Sequence, residues 1–248
     1  MRLTFPLLLC GLLPFLSACD KAANSAPAKA ENALVKTTAT PVVIELFQSQ
    51  GCSSCPPANA ALNAMAHRGD VIALSYAVTY WDRLGWKDKF ADPVFTQRQY
   101  DYKSALKADS VYTPQIVLNG TKAIVGNGDG ELSRAVKATK PVSAVPAISL
   151  AKATVQIGSD SAGAAKRSAT VWLIRYDPRT HNVAIRAGEN DGRTLPHRNI
   201  VRQFTKLGTW SGKAVNFNLP AAKDAALKSV ILVQSGTAGP ILSAKQIG

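Results

Sequence analysis

Cys52 and Cys55, in the run Gly51-Cys52-Ser53-Ser54-Cys55-Pro56-Pro57, have the types and spacing that point most directly to chemistry in this chain. They follow the apolar run Val42-Val43-Ile44-Glu45-Leu46-Phe47, so the pair stands at the exit of a buried strand, about where a helix begins. A thiolate is the reactive form of cysteine, and a helix N-terminus offers unpaired N–H groups and positive dipole to stabilise it. A second thiol nearby can attack a mixed disulfide formed by the first. The implied chemistry is thiol–disulfide exchange. A purely structural bridge is the weaker reading, because so short a loop constrains the unfolded chain little.

The elements that must position this pair can be read around it. A helix over Ala58–His67 is stopped by Gly69-Asp70, and Val71–Ala77 is a second apolar strand. Strand, helix and strand at this spacing predict a parallel β-α-β unit. After a polar aromatic stretch, Thr79–Asp88, comes a helix over Asp92–Lys107 with Pro93 in its first turn. A strand led by Pro114 ends at the hairpin turn Asn119-Gly120, Thr121–Val125 returns antiparallel to it, and Gly130–Thr139 closes as a helix. The C-terminal ends of parallel strands share one rim. Trp81, Asp82 and Trp86 should therefore lie near the dithiol. Trp81 and Asp82 are candidate substrate-binding residues, with core packing as the alternative, and Trp86 is read as core.

At Val111–Gly120 the order of elements resembles the thioredoxin fold over about residues 41–140. The phrases around Cys52, Trp81-Asp82 and Tyr112-Thr113-Pro114-Gln115 are similar, more narrowly, to an exported bacterial thioredoxin-like family of uncharacterised function, of the C-x-x-C type. That resemblance implies an exposed nucleophilic Cys52 and a buried resolving Cys55. It implies a cis Pro114 facing the dithiol, with Thr113 before it pairing its backbone with substrate. It also offers two readings of Glu45, a charge in an apolar strand. Glu45 is either a proton acceptor beneath the resolving cysteine, its pKa raised by burial, or an edge residue in water. The chain departs from the pattern by a longer helical stretch before Pro114 and by Pro56-Pro57, which place the helix start at Cys52 or nearer Pro56.

Beyond Pro141 the texture changes to short alternating segments, Ala147–Ile157, Ala169–Tyr176, Asn182–Ala187, Asn199–Leu207, Ala214–Leu219 and Ser229–Ser235. These predict an antiparallel sheet or sandwich. The Gly188–Arg193 run lacks phosphate-cradle spacing and a following helix, and reads as a turn. The expected fold is an α/β thioredoxin-like domain, 41–140, followed by an all-β, sandwich-like domain, 141–248.

The N-terminal region sets the compartment. Met1–Ala18 has one early charge, Arg2, and the apolar run Phe5–Leu16, a secretory signal too short to span a bilayer. Its end, Leu16-Ser17-Ala18-Cys19, resembles the bacterial lipoprotein signal, which implies lipidation of Cys19. Asp20 next to it resembles an inner-membrane retention signal. Residues 1–18 are then the signal and 19–40 a flexible tether, and the expected location is the periplasmic side of a bacterial membrane. Cys10 leaves with the signal, so Cys52 and Cys55 are the thiols of the folded part.

The net charge is +13, or +12 once Arg2 is gone, and it is dispersed without a nucleic-acid motif. His67, His181 and His197 fall in different elements, and no second C-x-x-C exists to complete a four-cysteine zinc site. The reading includes no metal, no cofactor and no nucleic acid. The expected partners are exported cysteine-containing proteins or a redox protein, met by a monomer. The alternative function is a binding or assembly module without turnover, holding Cu(I) on two thiolates.

Overall fold

Thirteen strands and three α-helices are built over the residues that the computed structural model describes, 40–160 and 168–247. The leader, Cys19 and most of the tether lie outside the described residues.

The central layer is an eight-stranded mixed sheet in the order β13-β12-β7-β10-β2-β1-β3-β4. β1 (Val42–Gln48) and β2 (Val71–Ala77) pair in parallel, joined by α1 (Cys55–Met65). β3 (Gln115–Leu118) runs antiparallel to β1 and turns at Asn119 and Gly120, both with positive φ, into β4 (Lys122–Ile124). α2 (Pro93–Ala105) begins at Asp92, whose carboxylate accepts from the Val94 N–H, and α3 (Glu131–Ala138) follows β4. Up to residue 138 these elements follow the order read from the sequence.

The C-terminal strands do not form a sheet of their own beside this one. β7 (Ala169–Asp177), β10 (Ile200–Trp210), β12 (Lys228–Ser235) and β13 (Ile241–Ile247) extend the same sheet from its β2 side. The seam is short. Ile200 of β10 is registered with Ser75 of β2, the Ser75 N–H donates to the Asn199 carbonyl, and Asn199 Nδ2 donates to the Ala73 carbonyl at 2.8 Å. The boundary expected at residue 140 is thus no edge of the sheet: β2 offered an open row of backbone groups, and pairing it with β10 satisfies some of them. A three-stranded sheet, β5 (Ile148–Ala151), β6 (Thr154–Ile157) and β11 (Val215–Asn218), packs over the C-terminal part. The hairpin of β8 (His181–Ala184) and β9 (Thr194–His197) stands apart from both sheets. The architecture is mixed α/β, strand-rich, with few helices. Sequence reading missed β9 and β13: β9 carries Pro196, and β13 mixes Ser, Lys and Gln among its apolar residues.

Alternation along β1 assigns the two faces. Val42, Ile44 and Leu46 pack with Ala58, Leu62 and Met65 of α1 and with Leu132 and Val136 of α3. Val43 and Phe47 point the other way, toward Phe95 and Tyr102 of α2 and Trp172, Ile174 and Leu232 from the C-terminal strands. This face carries one continuous core across both halves of the chain.

Candidate functional site

Cys52 and Cys55 are joined in a disulfide, with Cα atoms 5.4 Å apart, at the C-terminal end of β1. The helix begins at Cys55, with Pro56 and Pro57 in its first turn, where missing N–H groups cost nothing. Cys52 lies in the turn before it, and the Cys55 N–H donates to the Cys52 carbonyl. The expected exposed nucleophile is not exposed: Cys52 is 0% and Cys55 1% accessible.

The cover comes from the tip of the β8–β9 hairpin, the run read from sequence as a simple turn. Val183, Ile185 and Leu195 anchor this hairpin on Ala77, Phe90 and Ile200, with Trp86 packed beside them. At the tip, buried Asn190 donates through Nδ2 to the carbonyls of Gln50 and Cys52, both at 2.9 Å. Arg193 holds the Asn190 amide oxygen at 2.7 Å. The Glu189 carboxylate accepts from the Ser53 N–H at 3.0 Å and its hydroxyl at 2.8 Å, and these bonds hold its pKa below the usual value. Gly188, with φ of +76°, brings the tip close to Trp86; a Cβ there would stand 3.5 Å from the Trp86 Cβ. Sequence reading missed Glu189 and Asn190 because a turn's composition says nothing about what its polar side chains face.

The rim residues do meet here. The Thr113–Pro114 peptide is cis, the geometry expected from the sequence. Thr113 Oγ1 donates to Cys52 Sγ at 3.3 Å and accepts from Trp81 Nε1 at 2.8 Å. Ser54 Oγ donates to the Thr113 carbonyl at 3.3 Å and lies 3.4 Å from Cys52 Sγ. Asp82 opens a short 3₁₀ turn (Asp82–Leu84) and accepts from the Asp88 N–H at 3.2 Å. Trp86, beyond its packing, donates to Gln50 Oε1 at 2.9 Å. Among the described residues no three His, Cys, Asp or Glu side chains gather as a metal ion would need. A cavity of about 790 Å³ lies near Asn119, Val142 and Trp210, lined by none of these site residues.

Glu45 corrects both readings offered for it. It is fully buried, not an edge residue, and alternation puts it with Val43 and Phe47 on the α2 face, opposite α1 and Cys55. Its carboxylate takes a two-pronged bond from Arg98, at 2.7 and 2.9 Å, and a hydrogen bond from the Tyr102 hydroxyl. Gln234 of β12 joins through its side-chain oxygen to Arg98 at 3.3 Å and through Nε2 to the Tyr102 oxygen at 3.0 Å. Burial alone would lower the Arg98 pKa; the Glu45 charge and the Tyr102 and Tyr76 phenols outweigh it and hold it above its ordinary value. Glu45 anchors both halves of the chain rather than moving a proton at Cys55.

Asp88 is a buried carboxyl beside the dithiol loop. Its oxygens accept from the Gln50 and Phe90 N–H groups, both at 2.9 Å. Burial nonetheless raises its pKa from 3.8 to about 6. His197, buried at the end of β9, is lowered from 6.5 to about 4, first by burial and then by Lys89 and His181. The two act oppositely on stability. A raised carboxyl contributes stability that is present below pH 4 and lost as pH climbs through 6. A lowered histidine contributes stability that is present above 6.5 and lost as pH falls through 4. Asp88→Asn should therefore gain on wild type by about 3 kcal/mol between pH 4 and 6.5 in urea unfolding, at roughly 1.36 kcal/mol for each tenfold change in proton affinity. His197→Gln should lose on wild type over the same interval; parallel curves for all three proteins would refute both assignments.

Comparison with known proteins corrects the family resemblance. A family model described as a protein of unknown function, DUF1223, matches residues 43–234, running through the dithiol and into β12. The exported C-x-x-C thioredoxin-like family is not the one that matches. A crystal structure of a structural-genomics protein from Agrobacterium tumefaciens is 33% identical, covers 84% of this chain and 94% of its own, and superposes with a TM-score of 0.67. HBP35 of Porphyromonas gingivalis is 13% identical over 85% of this chain and 76% of its own, with a TM-score of 0.52, a likeness of fold alone. No curated protein matches.

Proposed function

We propose, from the premise that the chain belongs to the DUF1223 family of unknown function, that it exchanges disulfides with exported proteins through Cys52 and Cys55. One observation carries the reading. A disulfide closing a three-residue separation adds little stability, yet residues distant in sequence surround it: Thr113 donates to the Cys52 sulfur, Trp81 donates to Thr113, and Glu189 and Asn190 bind the Ser53 and Cys52 backbone. A donor at a sulfur and the groups that cover it set its reactivity. The segment 42–138, with sheet order β2-β1-β3-β4, is the thioredoxin-like unit of this reading, and the later strands supply its cover.

The exchange balances without a cofactor. In the oxidising direction a substrate thiolate attacks Cys52 Sγ, and the Cys52–Cys55 bond breaks with its electron pair on Cys55. A second substrate thiolate then attacks the mixed disulfide and leaves Cys52 as thiolate. The substrate is oxidised by two electrons and the protein reduced by two. In reverse, the Cys52 thiolate attacks a substrate disulfide and Cys55 resolves it. The potential relative to the partner sets the direction. Pro114 lines the approach, and the Thr113 backbone and the Trp81 and Asp82 side chains form the docking rim.

A Cys55→Ala variant tests this, because it lacks the resolving thiol and should accumulate mixed disulfides at Cys52 with exported proteins. Reduced wild type should alkylate at Cys52 before Cys55 once the cover opens. An empty trap, with Cys55 alkylating first, would end the reading. The burial of both cysteines favours a second one, a binding module whose disulfide stays closed. An empty trap together with a reduction potential below about −300 mV would favour it.

Location follows the leader. Lipid on Cys19 would place the chain on the periplasmic side of a membrane. Cys19→Ser should release the protein from the membrane fraction; a wild type already soluble would refute the anchor.

A further inference from the structure

We infer that the Trp81 indole acts through Thr113 to stabilise the Cys52 thiolate, so that a Trp81–Thr113–Cys52 donor chain sets the acidity of the attacking sulfur. This deepens the exchange reading and rests on it for its purpose, though not for its measurement.

The argument is one of hydrogen count. An indole N–H can only donate, and a threonine hydroxyl has one hydrogen and two lone pairs. Trp81 Nε1, 2.8 Å from Thr113 Oγ1, fills one lone pair, which leaves the Thr113 hydrogen to be donated elsewhere. Cys52 Sγ stands 3.3 Å away as acceptor. Ser54 Oγ is as near the sulfur, at 3.4 Å, but its own hydrogen goes to the Thr113 carbonyl at 3.3 Å. The competing acceptor for the Thr113 hydrogen is the Tyr80 phenol, which donates its own proton to Gln99 Oε1 at 3.2 Å. Thr113 is thus the side chain aimed to donate to a charge on Cys52. A donor whose oxygen already accepts a hydrogen bond is polarised and donates more strongly. A sulfur in a disulfide gains little from this; a thiolate gains the larger energy of a charged acceptor. Trp81 is a positioning residue here, and Thr113 touches the reacting atom.

The reduced Cys55→Ser protein carries one thiol at the site, and its titration by ultraviolet thiolate absorbance needs no access for a reagent. Thr113→Val should raise the Cys52 pKa by about one unit, a roughly tenfold loss of thiolate below the pKa. Thr113→Ser, which keeps the hydroxyl, should restore it. Trp81→Phe should raise the pKa by about half a unit, roughly threefold, and should add nothing in the Thr113→Val background. Tyr80→Phe, which removes the competing acceptor, should shift it the other way. An unchanged pKa in Thr113→Val, or a Trp81→Phe shift of equal size in both backgrounds, overturns the inference. An empty Cys55→Ala trap alongside the expected shifts would refute the exchange reading and leave the donor chain standing.

Discussion

Replacing Asn190 with alanine is expected to speed reduction of the Cys52–Cys55 disulfide by dithiothreitol about tenfold or more. Asn190 Nδ2 is the shared donor to the Gln50 and Cys52 carbonyls, and it is buried above them. Without it the Gln50 carbonyl stays covered and unpaired while the hairpin tip is closed, at about 1–3 kcal/mol for an unsatisfied group, and the Cys52 carbonyl keeps only the Cys55 N–H. Every 1.4 kcal/mol shifts the balance of closed and open forms tenfold. Reduction needs the open form, so its rate follows that population. The readout is thiol release under native conditions, with urea unfolding measured in parallel so that a global loss of stability is not mistaken for local opening. Glu189→Gln should act in the same direction but less, because its partner Ser53 is exposed and can turn to water. Wild-type reduction rates in Asn190→Ala would mean that the tip does not gate the sulfurs.

Arg98→Met should cost about 3–5 kcal/mol in urea unfolding. Arg98 is 1% and Glu45 0% accessible, so the variant leaves a carboxylate deep in the core with no cation to pair it. The guanidinium also stacks over Tyr102 and over Phe204 of β10, 4.9 and 4.4 Å from the ring centres. With Gln234 it therefore binds α2 to the C-terminal strands. The paired variant Glu45→Leu with Arg98→Met should be more stable than Arg98→Met alone, since it leaves no buried charge. A single-variant loss below about 1 kcal/mol would mean that Glu45 finds another partner or a proton.

Both effects arise from contacts between segments far apart in the chain, and this divides what could be read from sequence from what could not. The dithiol, β1, α1, β2 and the Pro114-led hairpin were legible because their signals are local: a spacing of cysteines, runs of apolar residues, a proline before a strand and Asn-Gly after it. A period of two along β1 likewise determined that Glu45 shares a face with Val43 and Phe47. It did not say which helix covers that face. The donors at Cys52 were half legible, since the rim rule put Trp81 and the thioredoxin resemblance put Thr113 near the dithiol, but both were assigned to substrate rather than to each other.

The sequence by itself determined the position of two cysteines at a strand exit and most of the elements that carry them. Tertiary structure alone decided that β10 adds to β2 and joins the halves in one sheet, that Glu45 meets Arg98, and that Glu189 and Asn190 close over Cys52. The physical reason is that an open sheet edge, a buried carboxylate and an uncovered carbonyl each require a partner. Nothing in the local sequence names it, because the partner lies as many as 140 residues away and is chosen by how the layers pack.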